Sequence, residues 1–236
     1  DEPLQKKGET VAYQEFTIQE YKFPAAVCSM DKQSKTITAT EVPAIDKENK
    51  LAWLKLTSNG LEVTFNKKTG FVDYLDYNGK PMLQEGYSLT PDFWRAPTDN
   101  DYGAKLQQKD YAWKSPEMKL IRITSNADGK VVAEYDMPTI DAKLKLTYTV
   151  TPCGKLIVNQ NLKVNPNANQ KPNLHRFGMQ LVMPAEYDRV TYYGRGPMEN
   201  YWDRKGCALL GEYSQKVSEM YWGLFQINVF QPSNPR

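Results

Sequence analysis

From residue 51 the polarity of the chain alternates almost residue by residue, and two of the first three breaks in that alternation carry Asn-Gly. The runs Trp53-Leu54-Lys55-Leu56-Thr57 and Leu61-Glu62-Val63-Thr64-Phe65 flank Asn59-Gly60. A period of two turns one side of a strand to a core and the other to water. Asn-Gly accepts positive φ at both positions of a two-residue turn, so it predicts a hairpin. The pattern continues through a turn at Asn66-Lys67-Lys68-Thr69-Gly70, a strand at Phe71 to Leu75 and a second Asn-Gly turn at Asn78-Gly79. Further strands are expected at Lys119 to Thr124, Val131 to Met137, Ala142 to Thr151, Lys155 to Val164, His175 to Val182 and Arg189 to Tyr193, each bounded by Gly, Asn, Asp or Pro. Helical periodicity is confined to a short turn around Lys105 to Asp110. The fold class that follows is all-β, and a large antiparallel β-sandwich is the simplest packing.

The N-terminal region reads differently. Val11-Ala12-Tyr13-Gln14-Glu15-Phe16-Thr17-Ile18 alternates as a half-buried strand would. One strand cannot bury its own face, so it is expected to complete a sheet lying upstream. Residues 19 to 50, with Pro24, Pro43 and the charged run Asp46-Lys47-Glu48-Asn49-Lys50, read as a connection holding one short strand, Thr36 to Thr40.

Composition removes several function classes. Thirty basic and 28 acidic residues give a net charge of +2, with no basic run of the kind a nucleic-acid surface needs. No apolar stretch of about 18 residues is present to cross a membrane as a helix. The three cysteines, Cys28, Cys153 and Cys207, match neither a zinc nor a Cys-x-x-Cys spacing. Three free thiols are expected, one bridge plus one thiol being the other arrangement. A catalytic thiolate needs a basic partner, and His175 is the single histidine. The chain begins at Asp1 with no signal peptide, so it reads as a processed or excised piece whose compartment is unmarked. Aromatics are 12% of the chain; they suit strands and also stack on sugar rings.

Two segments break the strand pattern. The first is Phe93-Trp94-Arg95-Ala96-Pro97-Thr98-Asp99-Asn100-Asp101-Tyr102-Gly103. As plain structure it is a loop in which Asp99 and Asn100 bond their own backbone and Gly103 takes positive φ. As a site, Asp and Asn oxygens accept from sugar hydroxyls, Arg95 donates as a fork and an aromatic face covers the ring. The second is Tyr192-Tyr193-Gly194-Arg195-Gly196-Pro197-Met198-Glu199-Asn200-Tyr201-Trp202-Asp203-Arg204. Gly-Arg-Gly-Pro predicts a tight turn exposing Arg195, with Arg195 and Arg204 available to pair with Glu199 and Asp203. Glycoside hydrolysis uses two carboxyl groups about 5–5.5 Å apart for retention or about 6.5–9.5 Å for inversion. Asp99, Asp101, Glu199 and Asp203 qualify by type alone. His175 with a carboxylate would open a sugar ring by acid–base chemistry, although an alternating strand usually holds a structural His.

Together these two stretches resemble the signature segments in the C-terminal domain of β-galactosidases of glycoside hydrolase family 2, and the run Ala12 to Phe16 resembles the closing strand of the immunoglobulin-like domain before it. The resemblance covers nearly the whole chain. It implies a galactose mutarotase-like supersandwich over residues 51–236, preceded by that closing strand (1–20) and a connecting segment (21–50). It implies a parent enzyme, bacterial and cytoplasmic or periplasmic, that releases terminal β-galactose with retention. The two catalytic glutamates and the magnesium site of that family lie in an upstream barrel, which leaves no catalytic residue, cofactor or metal to this chain. Its expected partners are that barrel and galactosides, with no nucleic acid or membrane. Arg95, Asp99, Asn100, Asp101, Arg195, Glu199 and Asn200 become substrate-proximal candidates. Trp113, Lys114, Ser115 and Pro116 become candidates for the active-site rim. From Tyr221 onward the sequence departs from the family pattern, so the last strands of the sandwich are expected to be missing, and self-association is one way to cover the open edge. Two other readings use the same residues: a mutarotase-like sugar epimerase built on His175, and a carbohydrate-binding module without catalysis.

Overall fold

The computed structural model describes residue 8 and residues 12–19, 37–42, 53–168, 172–197 and 206–220. The chain divides into a larger unit, Cys28–Asp188 with Lys216–Arg236, and a smaller one, Asp1–Val27 with Arg189–Gln215.

In the larger unit, β1 (Thr38–Val42), β2 (Trp53–Ser58), β3 (Leu61–Asn66), β4 (Val72–Tyr77) and β5 (Lys80–Pro81) form a five-stranded sheet in chain order. A short strand, β6 (Thr90–Asp92), follows. After two short helices come β7 (Lys119–Ser125), β8 (Lys130–Met137), β9 (Ala142–Val150) and β10 (Leu156–Val164), a four-stranded antiparallel meander. The hairpin turns form where Asn-Gly predicts them: Asn59 and Gly60 have φ of 43° and 83°, Asn78 and Gly79 of 53° and 80°. These are left-handed values that Asn and Gly tolerate best.

The two sheets bury the faces that the alternation marks. Leu54 and Leu56 of β2, and Leu61, Val63 and Phe65 of β3, share one core with Val131, Ala133, Tyr135 and Met137 of β8 and Leu144, Leu146, Tyr148 and Val150 of β9. Phe65 meets Tyr148 edge-on at 5.0 Å between ring centres, and Phe71 stacks on Tyr135 at 5.3 Å. The Tyr135 and Tyr148 hydroxyls are buried with no hydrogen-bond partner among the described residues. Burial pushes both phenols well above their ordinary pKa. Gly70 (φ +78°) stands where a Cβ would lie 2.4 Å from the Tyr135 hydroxyl, so this turn is glycine by both conformation and space.

The turn of the β2–β3 hairpin is tied to the β9–β10 turn. The Ser58 hydroxyl donates to the Thr151 carbonyl (2.9 Å), Asn59 Nδ2 to the Cys153 carbonyl (3.2 Å), and the Tyr77 hydroxyl to the Gly154 carbonyl. Cys153 is disulfide-bonded and Cys207 is a free, exposed thiol, so the expectation of three free thiols gives way to the one with a bridge. Cys28 lies outside the described residues.

Several elements differ from expectation. The strand expected over His175 to Val182 shrinks to β11 (Gly178–Gln180), which pairs with β6. The His175 and Arg176 side chains are spent on Asp110 and Asp92 rather than on a sheet face. The alternating run at the N-terminus forms no strand among the described residues, with Phe16 78% and Ile18 99% exposed. Its period is right for a strand, but a strand also needs a neighbour to bond. Val11, Pro24, Pro43 and the charged run 46–50 lie outside the described residues.

In the smaller unit, β12 (Arg189–Gly196) pairs with β13 (Leu209–Lys216), whose last residue falls in the larger unit's stretch. β12 runs straight through Gly194-Arg195-Gly196, where a tight turn was expected. The Tyr192 and Tyr213 rings pack tilted by 34° with centres 5.6 Å apart, and a Cβ on Gly196 would lie 2.4 Å from the Tyr192 hydroxyl. A glycine there lets the two rings close over the strand. β13 lies outside the expected strands: its positions alternate between half-buried and exposed, but Gly211 and Gln215 on the inner face and Leu210 on the outer one blur the polarity pattern.

Candidate functional site

The first unusual segment begins where β6 ends. β11 runs antiparallel to β6 with Gly178 opposite Asp92, Met179 opposite Pro91 and Gln180 opposite Thr90. Residues just before β11 therefore return alongside residues just after β6. This register brings 172–177 to the Phe93–Gly103 segment, some 80 residues away in the chain. An Arg176–Asp92 ion pair at 2.9 Å marks the junction.

The segment forms a capped helix rather than a simple loop. Thr98 caps α1 (Asp99–Gly103): its hydroxyl accepts from the Asp101 amide at 3.3 Å while the Asp101 carboxylate accepts from the Thr98 amide at 2.8 Å. Gly103 lies inside α1 and is not in the left-handed region, contrary to the loop reading. Asp101, 6% exposed, also accepts from both Arg95 guanidinium nitrogens, Nη2 at 3.0 Å. Burial opposes its charge, but the hydrogen bonds from Arg95 and Thr98 outweigh burial and hold its carboxyl below the usual carboxylate range. Arg95 Nη1 also donates to the Ala96 carbonyl at 3.1 Å. Asp99 and Asn100, in the first turn of α1, are exposed.

Beyond α1, α2 (Leu106–Lys109) occupies the expected helical turn and leads into a 3-10 turn, Tyr111–Trp113. Asp110, between them, is 2% exposed. One of its oxygens accepts from the Asn173 amide at 2.9 Å, and the other lies 2.9 Å from His175 Nε2. The His175 and Asp110 side chains are 8% and 4% exposed. The His175 ring meets Trp94 edge-on at 5.1 Å, and Trp94 meets Tyr111 at 6.5 Å. Trp113 belongs to the core: it is 2% exposed, packs on Phe93 at 5.4 Å and donates from its indole N–H to the Pro172 carbonyl at 2.9 Å. Lys114, its ammonium 5.6 Å from the Tyr111 ring centre, and Ser115 are exposed, and Pro116 is half-buried.

The second segment belongs to the smaller unit. Arg195 bonds the Ala208 carbonyl at 2.7 Å and pairs with Glu15 at 3.0 Å, and Glu15 also accepts from the Leu210 amide. The Tyr13 hydroxyl donates to the Gly206 carbonyl at 3.0 Å. Arg195 thus finds its carboxylate 180 positions away. Glu199, Asn200, Asp203 and Arg204 lie outside the described residues.

The structure thus joins Arg95 to Asp101 and sets Asp99 and Asn100 on the same helix. Two residues absent from the sequence-based candidates shape this region: Thr98 caps α1, and Asp110 anchors Asn173 and His175. Thr98 was legible, since Thr-x-x-Asp before a helix is a capping signal. Asp110 was not, because its partner His175 lies 65 residues on. Chemically, Arg95 and Asp101 are spent on each other and fix the shape of the segment, while Asp99, Asn100, Tyr102 and Tyr111 face solvent. Among the described residues no three His, Cys, Asp or Glu side chains gather as a metal site.

The family described as "Beta galactosidase small chain" matches residues 57–223. A β-galactosidase of Priestia megaterium is 30% identical over 218 residues, covering 90% of this chain and 19% of that protein. One from Lactobacillus delbrueckii subsp. bulgaricus is 33% identical over 174 residues, 71% of this chain and 17% of that protein. One from Vibrio cholerae is 24% identical over 238 residues, 94% of this chain and 22% of that protein. The chain therefore spans about a fifth of the length of these relatives. With more than half of its length matched, from the β2–β3 hairpin through both unusual segments, this chain belongs to the β-galactosidase small-chain family.

Proposed function

We propose that the chain is the C-terminal β-sandwich segment of a β-galactosidase that hydrolyses terminal β-D-galactosides with retention, and that it supports fold, assembly and the active-site rim. Residues 1–20 close an immunoglobulin-like domain, 21–50 connect, and 51–236 form the supersandwich. The acid, the nucleophile and the magnesium ion belong to the barrel of the same enzyme, against which this segment packs. The single observation that carries the supporting role is the self-consumption of the site's ionic groups. Arg95 is held to Asp101, and Asp110 to His175, with all but Arg95 nearly sealed from solvent. Groups so engaged fix a loop; they do not present a free acid and base to a sugar. Lys114, Ser115, Asp99 and Asn100, exposed around that fixed frame, are the ones to form a rim. Self-association, pairing sheet edges such as β10 that have no partner among the described residues, is the assembly role.

The test is hydrolysis of a chromogenic aryl β-galactoside by the purified chain, alone and mixed with a fragment carrying the barrel. The chain alone is expected to be inactive and the mixture active. Turnover by the chain alone overturns the proposal.

A further inference from the structure

The solvent face of the five-stranded sheet carries a groove that neither the family segments nor the rim uses. Its walls include Trp53, Lys55, Glu62, Asp73, Tyr74 and Tyr87, and its volume is about 510 Å³. A β-bulge builds it. Tyr74 pairs with Thr64 and Val72 with Phe65, so Asp73 is the extra residue in β4. A bulge re-aims a side chain, and here Asp73 and Tyr74, adjacent in sequence, both line the groove instead of pointing to opposite faces.

Asp73 is fixed in place. One carboxylate oxygen accepts from the Ser88 hydroxyl at 2.6 Å. The other accepts from Asn66 Nδ2 at 2.8 Å and from the Trp53 indole N–H at 3.5 Å. A carboxylate offers about four acceptor sites, so three donors leave room for one more. Lys55 and Glu62 form a 2.7 Å pair, each about a third exposed, and so present both donor and acceptor capacity. A second hollow of about 570 Å³ shares Glu62 and Tyr74 with the first and is lined beyond them by Asn59, Asp76 and Asn78. Tyr74, 39% exposed, thus lines both hollows.

Few ligand classes fit. An extended peptide docks on an unpaired strand edge, whereas β2, β3 and β4 are paired on both sides here. Across the two hollows three carboxylates, Glu62, Asp73 and Asp76, against one ammonium, Lys55, disfavour an anion. Trp53 and Tyr74 offer faces to the apolar side of a neutral ring, and the carboxylates with the Lys55 ammonium suit a rim of hydroxyls that both donate and accept. We propose that this groove binds a short neutral oligosaccharide, with successive pyranose rings on either side of Tyr74. The inference stands apart from the supporting role proposed above.

Calorimetric titration of the 236-residue chain with cellotetraose, β-1,4-galactotetraose and lactose tests it, with tryptophan fluorescence as a second readout. Saturable binding is expected, tighter for a tetraose than for lactose because only the longer chain spans both hollows. Trp53→Ala and Tyr74→Ala should each weaken it by about fivefold to tenfold, the size of one lost ring contact. Tyr87→Ala, in the loop beyond the sheet, gives the same reading if a strand variant fails to fold. Absence of saturation up to the solubility limit overturns the proposal. So does an affinity unchanged in the folded variants, or tighter binding of an acidic oligosaccharide.

Discussion

Asp101 shows how a candidate sugar ligand becomes a structural hub. Its two oxygens take hydrogen bonds from Arg95 and the Thr98 amide, and its own amide is capped by Thr98. Asp101→Asn keeps the volume but loses the charge, and should destabilise the chain by about 2 kcal/mol, a charge-assisted hydrogen bond and part of a cap. Because the folded carboxyl is held below its ordinary range, its contribution is present above the unfolded pKa of about 4 and is lost as pH falls through the lower folded value. Urea melts of the parent and Asp101→Asn should therefore differ fully at pH 7 and converge toward pH 3; a difference that persists unchanged at pH 3 would show that the charge is not the cause. His175 makes a parallel case at the junction of two segments. His175→Ala strands Asp110, 2% exposed, and should cost about 3 kcal/mol or more in thermal or chemical melts. A loss within experimental error would reopen His175 as a reactive rather than a structural group.

At the level of elements, the sandwich carries two features that alternation does not explain. The Tyr135 and Tyr148 hydroxyls sit in the core without partners among the described residues. Burying a hydroxyl with no partner is unfavourable, so Tyr135→Phe and Tyr148→Phe should leave stability unchanged or raise it by up to about 1 kcal/mol. Either one losing stability to Phe in a melting series would mean that its hydroxyl has a bonded partner after all. Tyr148→Ala, by contrast, opens a cavity opposite Phe65 and should cost about 3–5 kcal/mol. Gly70 belongs to the same core. Gly70→Ala combines a disfavoured φ with a Cβ 2.4 Å from the Tyr135 hydroxyl and 2.8 Å from Leu120, and should cost more than about 1 kcal/mol. The element-level errors of the sequence reading have one cause. A strand is assigned from its own period, but its existence depends on a neighbour. Residues 12–18 have the period but no described strand partner, while β13 has β12 beside it and alternates only between half-buried and exposed positions.

Across the whole molecule, covalent and ionic links join positions that the sequence leaves unrelated. Cys153 is bridged while Cys207 is free and exposed. Alkylation under native conditions followed by peptide mass spectrometry should label Cys207 and reach Cys153 only after reduction; labelling of Cys153 without reductant would refute the bridge. Arg195 with Glu15, and His175 with Asp110, span 180 and 65 residues. The sequence by itself determined the antiparallel sandwich: the two Asn-Gly turns, the buried faces of β2, β3, β8 and β9, and the two segments that mark the family. Those features are local, set by turn dihedrals and by a period of two that any pleated strand must obey. Only the tertiary structure decided which charged groups meet. The β6–β11 register delivers His175 to Asp110 and the capping of α1 turns Asp101 toward Arg95. A bulge in β4 places Asp73 beside Tyr74. Such pairings depend on where a strand ends and which strand it finds, and no residue's own chemistry encodes a partner's address.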